Sequence, residues 1–300
     1  MAILELLRQN PAFLITVCVI LGMLVGSFLN VVIYRLPIMM QRDWKQQCCE
    51  FLEIPVPAET EADATAAHWK KFNLAFPESH CPNCNHKIKA WQNIPVVSYL
   101  LLGGKCSNCK QSISWRYPGI EFVNGVLSGL VAFTFGPTWL TLAVLILTWS
   151  LVVLTLIDFD HQLLPDDITI PLLWLGLLVN ALNLGMGVSL YDAVVGAMIG
   201  YLSLWFFYWA FKLLTGKEGM GYGDFKLLAA LGAWMGWQSL LPIIILSSLV
   251  GAIWGVLMIL LMGRDKSVPM PFGPYLAGAG FIMLIWGTEI SRVYVSIFAV

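Results

Sequence analysis

Long apolar stretches without a charged side chain dominate the pattern of this chain. Five segments contain no Asp, Glu, Lys or Arg, and they are residues 122–157, 168–191, 193–211, 227–263 and 267–288. A helix needs about 20 apolar residues to cross about 30 Å of hydrocarbon, where no backbone amide can stay unpaired. The pattern therefore predicts a chain that crosses a membrane several times.

Breaks within these stretches set the number of helices. Gly136 and Pro137 form a turn pair that divides residues 122–157 into a helical hairpin, and residues 227–263 break near 236–238. We predict an all-α polytopic membrane protein with about eight transmembrane helices. The two divided stretches supply four of these helices, and the other four spans are residues 11–34, 168–184, 193–211 and 275–290. We predict that the first span is retained and is not removed as a signal peptide. The arm 225–237 is short enough to be partly re-entrant.

Charged side chains concentrate between the first two spans, because residues 35–116 hold ten of the seventeen Lys and Arg. We predict three parts, which are a first transmembrane helix in residues 1–34, a polar domain in 35–118 and a helical membrane domain in 119–300. An acidic segment rich in Pro, Ala and Thr lies at the centre of residues 39–80. It predicts a mobile insert.

Composition agrees with a membrane protein, since 58% of the residues are apolar and 12% are charged, against about 25% charged in a soluble domain. A soluble globule, a disordered chain and a disulfide-rich secreted module are excluded. Basic residues in short loops favour the cytoplasmic side. Placing residues 35–116 in the cytoplasm puts fifteen of the seventeen basic residues inside and both termini outside.

Four of the seven cysteines form a C-x2-C-x21-C-x2-C array, with Cys81 and Cys84 in one pair and Cys106 and Cys109 in the other. Two such knuckles can supply the tetrahedral sulfur shell that zinc prefers, although the gap of 21 is slightly longer than the usual window. Free thiols or a redox pair are the alternative. A closed four-sulfur site is structural, because it leaves no position for water or substrate.

Carboxylates at the ends of the apolar stretches are the candidate catalytic groups. Asp158 follows one charge-free span, with Asp160, Asp166 and Asp167 further along, and Asp224 precedes another span after three glycines. Two carboxyl groups within hydrogen-bond reach share a proton, so that one activates a water and the other donates to a carbonyl oxygen. The alternative is that such an Asp only caps a helix, as Asp224 could for the span that follows it, or pairs with Lys226 or Arg264.

Six segments in this order resemble the bacterial type IV prepilin peptidases over nearly the whole chain. They are GSFLNVVIYRLP from Gly26, the two knuckles with NIPVVSYLLLGGKC between them, RYPGIEFVNG from Arg116, IDFDHQLLPD from Ile157, GYGDFKLLAALGAW from Gly221 and PFGPYLAGAG from Pro271. The resemblance implies an aspartic peptidase of the GxGD type with Asp158 and Asp224 as its dyad. Asp158 is preferred to Asp160 because the family pattern places this Asp seven residues before the Pro of a PD or PN pair, here Pro165.

The resemblance also implies the reaction and its partners. Such enzymes, multi-pass proteins of the bacterial inner membrane, cleave the basic leader of prepilins and type II secretion pseudopilins after a Gly at the cytoplasmic membrane face. They then methylate the new terminal amine, commonly of Phe, with S-adenosylmethionine. The methyl-donor site is implied to involve the zinc domain and residues 26–37, and its candidate residues are Asn30, Arg35, Gly104 and Lys105. Structural zinc and the lipid bilayer are expected partners, and nucleic acid is not.

Two other functions remain open from the residues alone. A peptidase without methyltransferase activity would resemble relatives that lack the cysteine knuckles. A non-catalytic transporter or assembly factor would bind ions at its carboxylates, and it would place them near the middle of spans within an internal repeat. The natural substrate and the oligomeric state do not follow from the sequence.

Overall fold

The computed structural model describes residues 9–54, 72–262 and 270–298. Within these ranges the chain is helical and contains no β-strand. Eight long helices follow one another as α1 (Pro11–Phe51), α2 (Arg116–Phe135), α3 (Trp139–His161), α4 (Asp166–Ala181), α5 (Leu190–Thr215), α6 (Tyr222–Met235), α7 (Leu240–Met262) and α8 (Gly273–Phe298). Short helical turns occur at Ala90–Asn93, Val97–Leu101 and Trp237–Ser239.

The prediction of an all-α, multi-pass membrane protein is confirmed. Five helical segments of the described chain are long and apolar enough to cross a bilayer, namely α1, α2, α3, α5 and α7 with the turn before it. α4 has 16 residues and α6 has 14, fewer than the about 20 that a perpendicular crossing needs. At 1.5 Å per residue α6 is only about 21 Å long.

Glycines end helices where breaks were predicted. Gly136 takes φ = +64° between α2 and α3, and the Thr138 side chain then caps α3 by accepting a hydrogen bond from the Thr141 backbone amide. Gly236 takes φ = +77° after α6. A residue with a side chain is strained at such angles, so glycine stops the helix there.

The first helix is longer than the predicted span. It continues from Tyr34 through Pro37 to Phe51. Proline removes one backbone donor and bends a helix, but residues 38–51 contain no glycine or second proline that would end it. The start of the predicted insert is therefore helical, and residues 55–71 lie outside the described residues.

The chain divides into two compact units. The cysteine unit comprises residues 15–130, and the aspartate unit comprises residues 1–14 and 131–300.

Glycines let α1 and α2 pack closely within the cysteine unit. Gly22 and Gly26 on α1 and Gly125 and Gly129 on α2 each have so little space that a Cβ atom would overlap a neighbouring atom. Small residues spaced by four are typical of helix contacts in membranes. The Asn124 side chain adds a hydrogen bond across this contact, donating from Nδ2 to the Gly22 carbonyl oxygen at 2.6 Å.

The short helix α6 forms the core of the aspartate unit. Its residues from Leu227 to Trp234 are all buried, and it contacts α4, α5 and α8. The Asn180 side chain of α4 donates to the carbonyl oxygens of Ala233 and Trp234 at 2.8 and 3.1 Å. These carbonyls lie in the last turn of α6, where no helical partner exists, so Asn180 satisfies the buried helix end.

Candidate active site and metal centre

Asp158 lies in the last turn of α3. Its side chain is buried, with 6% exposed, and Oδ2 accepts a hydrogen bond from the backbone N–H of Gly273 at 2.9 Å. A Cβ atom at position 273 would lie 2.6 Å from that oxygen. Only glycine therefore allows the first turn of α8 to approach and hold this carboxyl group.

Asp224 is the third residue of α6 and is also 6% exposed. Its Oδ2 accepts a hydrogen bond from the backbone N–H of Gly221 at 3.3 Å. One of its two oxygens therefore caps the start of α6, as the helix-capping alternative expects. Its Oδ1 is buried, and among the described residues it has no hydrogen-bond partner. A buried carboxylate oxygen needs a partner, which a water or a substrate can supply here.

Both carboxyl groups line one cavity of about 280 Å3, which we call the aspartate cavity. A third carboxyl group, that of Glu218, also lines it. The hydrogen bond from Lys212, at 2.8 Å, lowers the pKa of Glu218 below its usual range. Glu218 is therefore ionised at neutral pH and forms an ion pair with Lys212.

The other three aspartates of the predicted cluster are exposed. Asp160 is exposed two residues after Asp158, and Asp167 is exposed at the start of α4. Asp166 accepts hydrogen bonds from Lys226 at 2.7 Å, which also removes Lys226 as a partner proposed for Asp224. Arg264, the other basic partner considered, lies outside the described residues.

The four cysteines of the two knuckles converge. Their Sγ atoms all lie within 4.8 Å of one another, with Cys81 and Cys109 3.8 Å apart and Cys84 and Cys106 3.9 Å apart. A tetrahedral zinc ion with Zn–S bonds of about 2.3 Å places its sulfur atoms about 3.8 Å apart. The separations and the all-thiol donor set therefore fit a structural zinc ion.

The two knuckles are near copies of each other, CPNCNHKI from Cys81 and CSNCKQSI from Cys106. The side-chain amide of Asn83 donates to Cys109 and that of Asn108 donates to Cys84, both at 3.7 Å. Each asparagine thus supports a sulfur of the opposite knuckle. The backbone amide of Gln111 and the Asn83 side chain lower the pKa of Cys109 to about 6, which favours the thiolate that binds metal.

Two of the four methyl-donor candidates lie on α1, and each hydrogen-bonds a backbone carbonyl within the cysteine unit. The Arg35 guanidinium is buried and donates to the carbonyl oxygens of Asn73 at 2.9 Å and Pro77 at 2.6 Å. It therefore holds the chain segment that leads into the first knuckle. Asn30 donates from Nδ2 to the Tyr117 carbonyl oxygen at 3.2 Å.

The other two candidates lie just before the second knuckle. Gly104 takes φ = +67°, and a Cβ atom there would lie 2.9 Å from the Tyr99 hydroxyl oxygen. Lys105 is exposed, and its backbone forms an isolated antiparallel β-bridge with Ser112. Each candidate thus has a local structural contact, and its part in holding a methyl donor stays a prediction.

Sequence reasoning missed several residues that support these sites. Gly273, which binds Asp158, lies in PFGPYLAGAG, a segment noted only for its resemblance. Glu218 precedes the glycines before Asp224 without any distinctive spacing. Asn83 and Asn108 could have been found, because the repeat C-x-N-C in both knuckles already marks them.

Known protein families and individual proteins match this chain over nearly its whole length. Residues 20–135 match the bacterial peptidase A24 N-terminal domain, and residues 145–256 match the type IV leader peptidase family. A prepilin leader peptidase/N-methyltransferase of Stutzerimonas stutzeri is 56% identical over 97% of this chain and 96% of its own length. Proteins of the same description are 54% identical in Pseudomonas aeruginosa, over 98% of both chains, and 51% identical in Neisseria gonorrhoeae, over 93% of both chains. No solved structure matches this chain significantly.

Proposed function

This chain belongs to the type IV leader peptidase family, and from that premise we propose that it cleaves the basic leader of prepilins and then methylates the new N-terminus. The substrates are type IV prepilins and type II secretion pseudopilins, cut after the Gly that precedes their apolar helix. The enzyme is a multi-pass protein of the bacterial inner membrane. Its aspartates face the cytoplasm and both termini face the periplasm, in keeping with the basic short loops.

Asp158 and Asp224 are the catalytic dyad of the proposal. The observation that carries it is the aspartate cavity, which is lined by two buried carboxyl groups from helices far apart in the chain. Within the described parts of the chain, Asp224 Oδ1 has no hydrogen-bond partner. Backbone amides of Gly273 and Gly221 each bind one oxygen, so the opposite oxygens can face a water and a peptide.

Peptide hydrolysis then needs only these two groups and water. The ionised carboxylate takes a proton from the water, and the water oxygen attacks the carbonyl carbon of the Gly. The protonated carboxyl group donates its proton to the carbonyl oxygen. The tetrahedral species is a gem-diol, and as it collapses the C–N bond breaks and the carboxyl group that took the water proton gives it to the leaving amine. A hydroxyl of the diol returns its proton to the other carboxylate, so the dyad again shares one proton.

The cysteine unit holds the zinc ion through Cys81, Cys84, Cys106 and Cys109 and carries the methyl-transfer function. S-adenosylmethionine, when bound, supplies an electrophilic methyl group to the freed amine. Asn30, Arg35, Gly104 and Lys105 belong to this unit and are its candidate supporting residues. Zinc itself has a structural role, since four thiolates leave no open position.

Mass spectrometry of a purified prepilin incubated with the enzyme tests both steps. We expect a mass loss equal to the leader without S-adenosylmethionine, and a further gain of one methyl group when it is present. An intact prepilin would contradict the peptidase, and a cleaved but never methylated product would reduce the proposal to a peptidase alone.

A further inference from the structure

A second cavity lies beside the aspartate cavity and takes no part in the chemistry described so far. It has a volume of about 360 Å3, and its walls come from α5 through Leu204 and Phe207, from α7 through Ser248 and Ala252, and from Tyr275 at the start of α8. We call it the apolar groove. Its size lies within the range of about 300–1,000 Å3 that is typical of ligand sites.

The apolar groove adjoins the aspartate cavity. Both are lined by Met220, Met270, Pro271 and Phe272, so the two cavities lie side by side along these four residues. A Cβ atom at Gly255 would lie 3.5 Å from the Met270 side chain, which places the end of α7 on the aspartate side. The wall from Ala252 back to Ile244 therefore runs away from the carboxyl groups for about 12 Å along α7.

The lining of the groove suits an apolar ligand that arrives from the bilayer. None of the described residues that line it carries a charged side chain. Phe207 is 59% exposed, and Ser248 and Ala252 are also exposed on helices that are long and apolar enough to span a membrane. The two shared methionines can adapt to side chains of different shape.

We propose that the apolar groove binds the first apolar side chain after the scissile bond, together with the start of the substrate helix that follows it. This inference rests on the proposed function, because it needs a prepilin at the aspartates. The leader Gly then lies in the aspartate cavity while the next residue turns into the groove. The groove selects an apolar residue there by shape and holds the peptide in register with Asp158 and Asp224.

Filling the groove tests the assignment. Ala252→Phe places a ring in the groove from an exposed position, and Ser248→Phe does the same from the preceding turn of α7. With a prepilin that carries Phe after the scissile bond, we expect each variant to raise KM by at least about tenfold. With the same prepilin carrying Ala at that position, each variant should raise KM by a smaller factor, because the smaller side chain leaves room beside the added ring.

Ile253→Phe is the matched control, because Ile253 is 53% exposed on the same helix but does not line the groove. It should cleave both substrates like the wild type, and equal thermal unfolding of all variants establishes that the fold is intact. Equal KM values for Ala252→Phe and Ile253→Phe on the Phe substrate would overturn the groove assignment. So would loss of a co-purified lipid from Ala252→Phe with unchanged cleavage, since the groove would then be a lipid site. If the wild-type enzyme cleaved neither substrate, the proposed function itself would fail instead.

Discussion

The cysteine unit and the aspartate unit build their sites in opposite ways. The four thiols of the cysteine unit lie between Cys81 and Cys109, and each knuckle is shaped by its own turn and by hydrogen bonds to its nearest neighbours. The aspartate cavity combines the end of α3, the start of α6 and the loop before α8, so Asp158, Asp224 and Gly273 come from three distant parts of the chain. A local site tolerates changes elsewhere in the chain, whereas a site made by helix packing depends on every helix that positions it.

Removing the metal ligands is expected to have the largest effect, and it should be confined to the cysteine unit. In a variant with both Cys81→Ser and Cys106→Ser, each knuckle loses one thiolate. Structural zinc contributes about 10–16 kcal/mol in small zinc domains, so we expect complete zinc loss and loss of methylation. Zinc per chain is measured by elemental analysis, and methylation by mass spectrometry. Cys48→Ser, at an exposed cysteine outside the cluster, should change neither, and unaltered methylation in the double variant would show the metal to be dispensable for that step.

Removing either carboxyl group should have the next largest effect, in the aspartate unit. Asp158→Asn and Asp224→Asn keep the shape of the side chain but cannot exchange the proton, so leader cleavage should fall by about 10²- to 10⁴-fold. Cleavage is followed with a purified prepilin, and thermal unfolding of each variant reports on folding. Asp160→Asn changes an exposed carboxyl group two residues from Asp158 and should retain activity. Full cleavage by either dyad variant would reject the dyad.

Gly273→Ala tests whether helix packing positions Asp158. The added Cβ atom would lie 2.6 Å from Asp158 Oδ2, so the carboxyl group or α8 must move. A displacement of about 1 Å at a reacting group can cost about 10²-fold in rate, and we expect a loss of that order in kcat for leader cleavage. Gly278→Ala lies in the same helix with no atom within 4 Å of its new Cβ, and it should behave like the wild type. Equal rates for the two variants would mean that the contact to Gly273 is not needed.

Asn83→Ala and Asn108→Ala should have the smallest effect of this series. Each variant removes one amide hydrogen bond to a sulfur of the opposite knuckle. Outer groups that support metal ligands commonly change affinity by about 10- to 100-fold, and we expect the lower end because the sulfur keeps its other contacts. Competition with a zinc chelator measures this affinity, with Ser107→Ala as a control in the second knuckle. An unchanged affinity in both variants would show that the knuckle backbones alone set the site.

Hydrophobic periodicity predicted most of the helices, and cysteine spacing predicted the metal centre. The breaks at Gly136 and Gly236 were found because glycine at positive φ stops a helix, and the family prediction from the ordered motifs is confirmed. The end of α1 at Phe51 was not found, because proline weakens a helix locally without always ending it. Periodicity alone could not separate the four aspartates between residues 158 and 167, and only the resemblance favoured Asp158. Burial distinguishes them in the structure, and burial depends on neighbours far along the chain.

The amino-acid order alone was enough for properties that arise within one segment: membrane helices from runs of apolar side chains, and convergence of thiols from two short turns of the C-x2-C type. Only the packed chain decided which carboxyl groups line one cavity, because α8 contacts both α3 and α6 and so brings their ends together. It also decided that Asp224 caps its helix with one oxygen while the other has no hydrogen-bond partner among the described residues, and that an apolar groove lies beside it. Such features depend on how distant surfaces fit, and no short stretch of residues encodes that fit.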